Sequence, residues 1–346
     1  MNQFSNVCLD SIGYVLPPRV VSSQAIEQRL APLYSRLKLA EGRLELMSGI
    51  SERRFWPAGT RPSQAATFAG LDVLAKTALS PQDIDCLIFT SVSRDMMEPA
   101  TASFVHKALG LAPSCLIFDL SNACLGFLDG MLLLAGMIEL GQIRNGLIVS
   151  GETAEELHES TLEALISNPA ITRKSFKPAF ASLTIGSGSV AAILRRAAET
   201  EAVPRLVHAA WRANTDHSDL CQGDHTGAAT TLMETDSEAL LLQGVETAFA
   251  TWQAFSAHPQ WRSTNIDCFC CHQVGSAHAR LLFERLGLDQ QKNFQTLAAL
   301  GNVGSVSAPI TMAMAIEQAA FKQGQKAALL GIGSGINCLM LGMDWS

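Results

Sequence analysis

Apolar residues in this chain fall into short continuous runs, broken by polar bends marked with glycine and proline. Longer stretches with helical spacing lie between them. Residues 6–13 read as a first strand of moderate alternation, closed by Pro17 and Pro18. Further strands are predicted at 84–90, 115–119 and 146–152, and 182–194 reads as a strand hairpin. After a charged stretch at 195–204, strands are predicted at 205–211, within 265–275 and at 327–330. Runs such as Ile84-Asp85-Cys86-Leu87-Ile88-Phe89-Thr90 are the type buried on both faces of an α/β sheet.

Helical spacing is seen at 24–40, with Ile26, Leu30, Leu33 and Leu37 on one face and Ser22 or Ser23 as the cap. Other predicted helices cover 63–79, 100–109, 125–140, 236–258 and 308–321. Residues 49–56 read as a short basic, aromatic loop or strand. Residues 91–99 form a polar loop after a strand's carboxyl end, the position that ligands favour in open α/β sheets. Residues 153–180, with Pro169 and Pro178, read as an irregular excursion that roofs a pocket, and 212–235 as a polar loop.

The pattern repeats. Ile84-Asp85-Cys86 recurs as Ile266-Asp267-Cys268, 182 positions on, with an apolar run and a polar exit after each. The same offset sets Cys124 against Val306, in a second small-residue bend that opens an apolar helix. The expectation is an internally duplicated α/β protein: an N-terminal half at 1–200 and a C-terminal half at 201–346. A pseudo-two-fold arrangement brings equivalent strand ends together at a central site.

Composition narrows the classes. At 346 residues the chain exceeds the usual single domain. It is 48% hydrophobic and only 16% charged, which points to large buried surfaces and an oligomer interface. A net charge of −7 argues against nucleic acid as a partner. No apolar run reaches the length of a membrane span. The first residues lack a charged segment followed by an apolar one, and the nine cysteines are dispersed. Reduced thiols in a cytoplasmic protein are the expectation.

Candidate chemistry centres on Cys124, at a strand-to-helix bend in Asn122-Ala123-Cys124-Leu125-Gly126-Phe127. A helix start presents free N–H groups and a positive dipole end, which is expected to lower the thiol pKa. His272 at a strand exit and Asn302 in Gly301-Asn302-Val303-Gly304 are the second half's contributions. Cysteine, histidine and asparagine at one site suit acyl-thioester chemistry: a thiolate forms an acyl-enzyme, and two donors stabilise an enolate. Gly333, Ser334 and Gly335 can add backbone donors for a tetrahedral oxyanion. The run Cys268-Phe269-Cys270-Cys271-His272 imitates a metal cluster. Alternation on a strand sends its side chains to opposite faces, so no metal is expected.

Asn-Ala-Cys-Leu-Gly-Phe, His-Gln-Val, Gly-Asn-Val-Gly and Gly-Ile-Gly-Ser-Gly-Ile-Asn-Cys, in this order, resemble the motifs of the thiolase superfamily, in its ketoacyl synthase III branch. The resemblance implies a five-layered αβαβα fold, a homodimer, no cofactor, and Claisen condensation through an acyl-cysteine. It implies that Cys124 is the nucleophile and His272 and Asn302 the enolate-stabilising pair. Thr90-Ser91-Val92-Ser93-Arg94-Asp95 with Glu98-Pro99 is similar to the OleA-type condensing enzymes, which join two fatty acyl-CoAs to a β-keto acid. In that resemblance Glu98 is the base that deprotonates the second acyl group's α-carbon, in the partner subunit's site.

The chain departs from housekeeping synthases in having His-Gln-Val-Gly for His-Gln-Ala-Asn. It has Arg43 and Met47 where those enzymes clamp CoA with tryptophan and arginine. Arg53 and Arg54 are the alternative candidates for contacting CoA. The competing readings are a decarboxylating synthase using malonyl-ACP with an acyl-ACP or acyl-CoA primer, an acyltransferase of natural-product assembly, a cysteine hydrolase, and a non-catalytic dimer partner.

Overall fold

The computed structural model describes residues 2–198, 201–226 and 230–345. Residues 199–200 of the expected linker and 227–229 of the expected 212–235 loop lie outside the described residues. The main sheet is built from β1 (Val7–Val15), β2 (Cys86–Phe89), β3 (Leu116–Asp119), β4 (Asn145–Glu152) and β5 (Gly188–Arg196). It continues with β6 (Arg205–Ala213), β7 (Cys268–Cys271), β8 (Lys326–Gly333) and β9 (Asn337–Asp344). Their order across the sheet is β7-β8-β9-β6-β1-β5-β4-β2-β3.

The order repeats outward from the centre. At the centre, β1 meets β6 through one register pair, Cys8 with Arg205. From β1 outward, β5 and β4 are added antiparallel, then β2 and β3 parallel. From β6 outward, β9 and β8 are added antiparallel, then β7 parallel. An isolated parallel bridge from Phe269 to Asn293 stands where the second half would have its counterpart of β3. Cys86 opens β2 and Cys268 opens β7, so the Ile-Asp-Cys repeat marks equivalent strands.

Three helical layers alternate with the two half-sheets. Helices α1 (Pro62–Leu74) and α2 (Thr101–Leu109) cover the first half-sheet through Ala66, Val73 and Val105. Helix α3 (Gly126–Glu139) lies in the middle, with α4 (Glu155–Ser167) outside the stack. Helices α5 (Ser237–Ser256) and α6 (Ser276–Leu286) cover the second half-sheet, and α7 (Ser307–Glu317) joins α3 in the central layer. Met131 and Leu134 of α3 and Ile310 and Met312 of α7 share one core with Ile88, Ile148, Leu329 and Leu341. A helix enclosed by both sheets needs apolar residues nearly all round, which explains the dense apolar run at 125–140.

Several local expectations are corrected. The helix read at 24–40 is two helices, Ser23–Arg29 and Ala31–Leu37. Pro32, in the second helix's first turn, has no N–H to continue the ladder, so the chain breaks at Leu30. The helix read at 63–79 stops at Leu74, and 49–56 contains a strand, Glu52–Phe55, paired with Arg19–Ser22. The excursion at 153–180 is largely helical. Leu162 and Leu165 of α4, with Phe176, pack on Ile26, Leu30, Leu33 and Tyr34. The hairpin read at 182–194 is the single strand β5, preceded by a 3-10 segment at Lys177–Thr184. Before β5 the chain pairs with second-half backbone instead: Gly186 N–H donates to the Asn302 carbonyl at 2.8 Å, and a Cβ on Gly186 would lie 2.3 Å from the Leu300 carbonyl oxygen. The loop at 212–235 contains a two-stranded ribbon, Cys221–Thr226 with Thr230–Thr235.

Candidate active site

Cys124 owes its position to a sequence of fixed points. The Asp119 carboxylate, ending β3, accepts the N–H groups of Thr101 and Ala102 at 2.7 and 2.8 Å, tying the strand end to the start of α2. Leu120 N–H extends the ladder to the Phe89 carbonyl at 2.8 Å. Ala123 then takes φ 47°, a left-handed conformation that strains any non-glycine residue. Cys124 follows in a single 3-10 turn, Ala123–Leu125, that runs into α3. A Cβ on Gly126 would meet the Thr90 carbonyl oxygen at 2.8 Å, so only glycine lets α3 start this close to the end of β2.

The half-buried Cys124 sulfur faces two backbone N–H groups, its own and that of Ser334. Ser334 lies in the turn between β8 and β9, where Gly335 and Ile336 are both left-handed (φ 79° and 52°). Two N–H donors converging on one sulfur can hold the oxyanion of a tetrahedral intermediate formed there. They do not make the resting thiol acidic. Burial, reinforced by the Glu152 carboxylate and Cys221, pushes the thiol up to about 12. The expected lowering by the helix start is therefore overturned. No cation is among the groups that shift the sulfur, and desolvation outweighs two amide dipoles.

The second half supplies neutral donors. His272 follows β7, its N–H bonded to the Leu330 carbonyl at 2.9 Å. Burial, with the neighbouring His278 of α6, holds its imidazole down to about 3. Its Nδ1 is buried without a partner among the described residues. The next residue, Gln273, fixes the approach to the asparagine loop. Its Oε1 accepts from Thr296 and Leu297 N–H at 3.0 and 2.9 Å, and its Nε2 donates to the Phe294 carbonyl at 2.9 Å. Asn302 Oδ1 accepts the Gly304 N–H at 3.1 Å, which orients the side chain and assigns its NH₂ as the donor. The turn Gly304–Val306 packs against the Ala123–Leu125 turn, so the asparagine loop and the cysteine bend meet.

Between them lies a residue that sequence reasoning missed. Glu152, at the end of β4, is 5% exposed. Its carboxylate accepts from Val92 N–H, from Ser93 N–H and Oγ–H, and from Ser305 N–H and Oγ–H, at 2.7–3.2 Å. The signal was a lone carboxylate ending an apolar strand. Cys221 was also missed: Ser334 Oγ–H donates to its sulfur at 3.3 Å, which brings a second thiol to the site. The cysteines of β7 divide as alternation requires, Cys268 and Cys270 into the central core and Cys271 into the outer one.

Other sequence candidates are placed differently. Glu98 is exposed, and no contact ties it to Cys124, His272 or Asn302 of its own chain among the described residues. Arg53 is fully buried. Its Nη1 donates to Ser23 Oγ at 3.0 Å, its Nε and Nη2 find no partner among the described residues, and burial lowers its pKa to about 10. It is not available to a CoA phosphate at the surface, which corrects that expectation. Arg54 is half-buried and donates to the Pro17 carbonyl at 3.2 Å. Gly333 packs on Leu125: a Cβ there would lie 3.0 Å from Leu125 Cγ.

The model of the 3-oxoacyl-[acyl-carrier-protein] synthase III family matches residues 118–167, and that of its C-terminal domain matches 257–345. The chain is 39% identical to the acyl-CoA:acyl-CoA alkyltransferase of Shewanella oneidensis, over 99% of this chain and 100% of that one. It is 36% identical to the Xanthomonas campestris protein of the same name, over 99% of each. The chain belongs to the OleA family. A crystal structure of a cysteine-to-serine variant of Xanthomonas campestris OleA, with bound lauric acid and lauroyl-CoA, superposes on this OleA-family chain with a TM-score of 0.94. That match is at 36% identity and covers 99% of this chain and 100% of that one. The expected five-layered fold of the thiolase superfamily is thereby shown for this chain.

Proposed function

We propose that this protein joins two long-chain acyl-CoA thioesters by Claisen condensation. The observation that carries the reading is full-length similarity to enzymes named acyl-CoA:acyl-CoA alkyltransferase. The Cys124 sulfur, as thiolate, attacks the first acyl carbonyl. The N–H groups of Cys124 and Ser334 receive the oxyanion, and the carbonyl–sulfur bond to CoA breaks with CoA leaving as its thiol. Glu98 then takes an α-proton from the second acyl-CoA. His272, neutral because of its burial, and the Asn302 amide donate to the enolate oxygen. The α-carbon attacks the acyl-Cys124 carbonyl, the carbon–carbon bond forms and the Cys124 sulfur is released. Hydrolysis of the remaining thioester gives a β-keto acid. The sequence as written needs no cofactor.

The reading includes a homodimer in the cytoplasm, in which Glu98 of one protomer serves its partner's site. Two features support this assembly. Strand β3 is one edge of the sheet, paired among the described residues only with β2, and its Leu116 is 50% exposed. The loop carrying Glu98 also exposes Met96 and Met97, although they are large and apolar. Among the described residues no helix is long and apolar enough to cross a membrane.

The test is incubation with lauroyl-CoA alone. Release of CoA together with a β-keto acid, or the ketone from its decarboxylation, is the expected result. Product that forms only when malonyl-ACP or malonyl-CoA is added would replace this reading with the decarboxylating synthase. Acylated Cys124 that passes its acyl group to an alcohol or amine, with no new carbon–carbon bond, would replace it with the acyltransferase.

A further inference from the structure

Glu152 joins parts of the site that come from opposite halves of the chain. Val92 and Ser93 follow β2 and begin the loop that carries Glu98. Ser305 follows Asn302 by three residues. Both segments donate backbone N–H and hydroxyl groups to the one buried carboxylate. A serine chain runs beside it: Ser305 Oγ is 2.7 Å from Ser150 Oγ, which is 3.1 Å from Ser91 Oγ. The chain also leaves room for the carboxylate, because a Cβ on Gly304 would come within 2.9 Å of Glu152 Oε1.

We propose that Glu152 is a positioning residue that locks the Glu98-bearing loop to the Asn302 turn, and so sets the geometry of the carbon–carbon bond-forming step. The donor set explains why a carboxylate is needed. Oε1 accepts from Val92 N–H and both Ser305 donors, and Oε2 accepts from both Ser93 donors. A carboxylate only accepts, whereas an amide would turn an NH₂ group toward one of these backbone N–H groups. The arrangement has a consequence at the nucleophile. The titratable groups bearing on the Cys124 sulfur are Glu152 and Cys221, and the Glu152 charge opposes thiolate formation.

The test is Glu152→Gln in the full-length protein, read three ways. Acyl-Cys124 formation with lauroyl-CoA, followed by intact mass, is expected to stay within about threefold of wild type. Condensation product is expected to fall by about 100-fold, since misplacing a base or an enolate donor by an ångström has that scale. Alkylation of Cys124 by iodoacetamide at pH 8 is expected to be roughly threefold to tenfold faster, because an opposing charge is gone. Equal losses in acylation and condensation, or an unmoved alkylation profile, would overturn the proposal. If Glu152→Gln does not fold, Ser305→Ala serves. It keeps the charge and one donor, and should slow condensation by about threefold to tenfold with acylation unchanged. Equal losses there would also overturn it. The turnover arm rests on the condensation reading, while the alkylation arm does not. If wild type makes product only with a malonyl thioester, that reading fails and the turnover arm is run with the malonyl donor.

Discussion

A thiol held near 12 carries little thiolate at neutral pH, so Cys124, the proposed nucleophile, ionises only with help. In the free protein, alkylation of Cys124 should rise about tenfold per pH unit from 7 to 10, as the thiolate fraction grows. A plateau near pH 8 would show an acidic thiol instead. Glu98→Gln separates the two half-reactions. Acyl-Cys124 should still form, while β-keto product should fall by roughly 100- to 10,000-fold, the range for losing a general base. Normal condensation in that variant would remove Glu98 from the mechanism. Arg53 shows how residue type alone misleads. A guanidinium in a short basic stretch suggested a phosphate contact, yet the side chain is enclosed and bonded to Ser23. Arg53→Lys should therefore alter thermal stability and leave the KM for acyl-CoA unchanged. A raised KM at unchanged melting temperature would restore the CoA assignment.

At the scale of elements, tight turns decide the site. Gly304 combines φ 57° with a carboxylate where a Cβ would go. Gly304→Ala should cost about 1–3 kcal/mol and impair condensation more than acylation, checked by thermal melting and by mass of the acyl-enzyme. Strands and central helices were legible because each carries its own pattern. The β7 run is buried at every position, and the α3 run is apolar because two sheets enclose it. The segment at 153–180 was not legible. Its polar residues masked Leu162 and Leu165, whose burial depends on Leu30 and Leu33, more than a hundred residues earlier in the chain. The break at Leu30 was visible in Pro32 but was outweighed by the continuous spacing of Ile26, Leu30, Leu33 and Leu37.

For the whole molecule, two buried histidines and one half-buried one couple stability to pH. His158, His272 and His278 are lowered from 6.5 to about 4, 3 and 4, with burial the leading cause in each. Below about pH 6.5 the unfolded chain binds protons that the folded protein refuses, so stability is lost as pH falls from 6.5 toward 4. Thermal melting should show a falling midpoint across that window, and a flat profile would contradict the assigned neutral rings. Assembly is tested at the sheet edge. Leu116→Lys places a charge on β3, and should turn a dimer into a monomer by light scattering, with condensation lost and Cys124 acylation retained. A monomeric wild type would remove the cross-subunit role of Glu98.

The sequence by itself pointed to the repeated α/β pattern and to the three residues, Cys124, His272 and Asn302, on which the proposed mechanism rests. Those depend on strand runs, small-residue bends and motif order, all of which are local along the chain. Only the tertiary structure decided that the Cys124 thiol is raised and that Arg53 is enclosed. It alone also showed that Glu152 joins the two halves by accepting from Val92 and Ser93 on one side and Ser305 on the other. Each of these is set by what packs against a side chain from a distant segment. Desolvation, a neighbouring charge or a fifth hydrogen bond has no signature at the residue's own position in the chain.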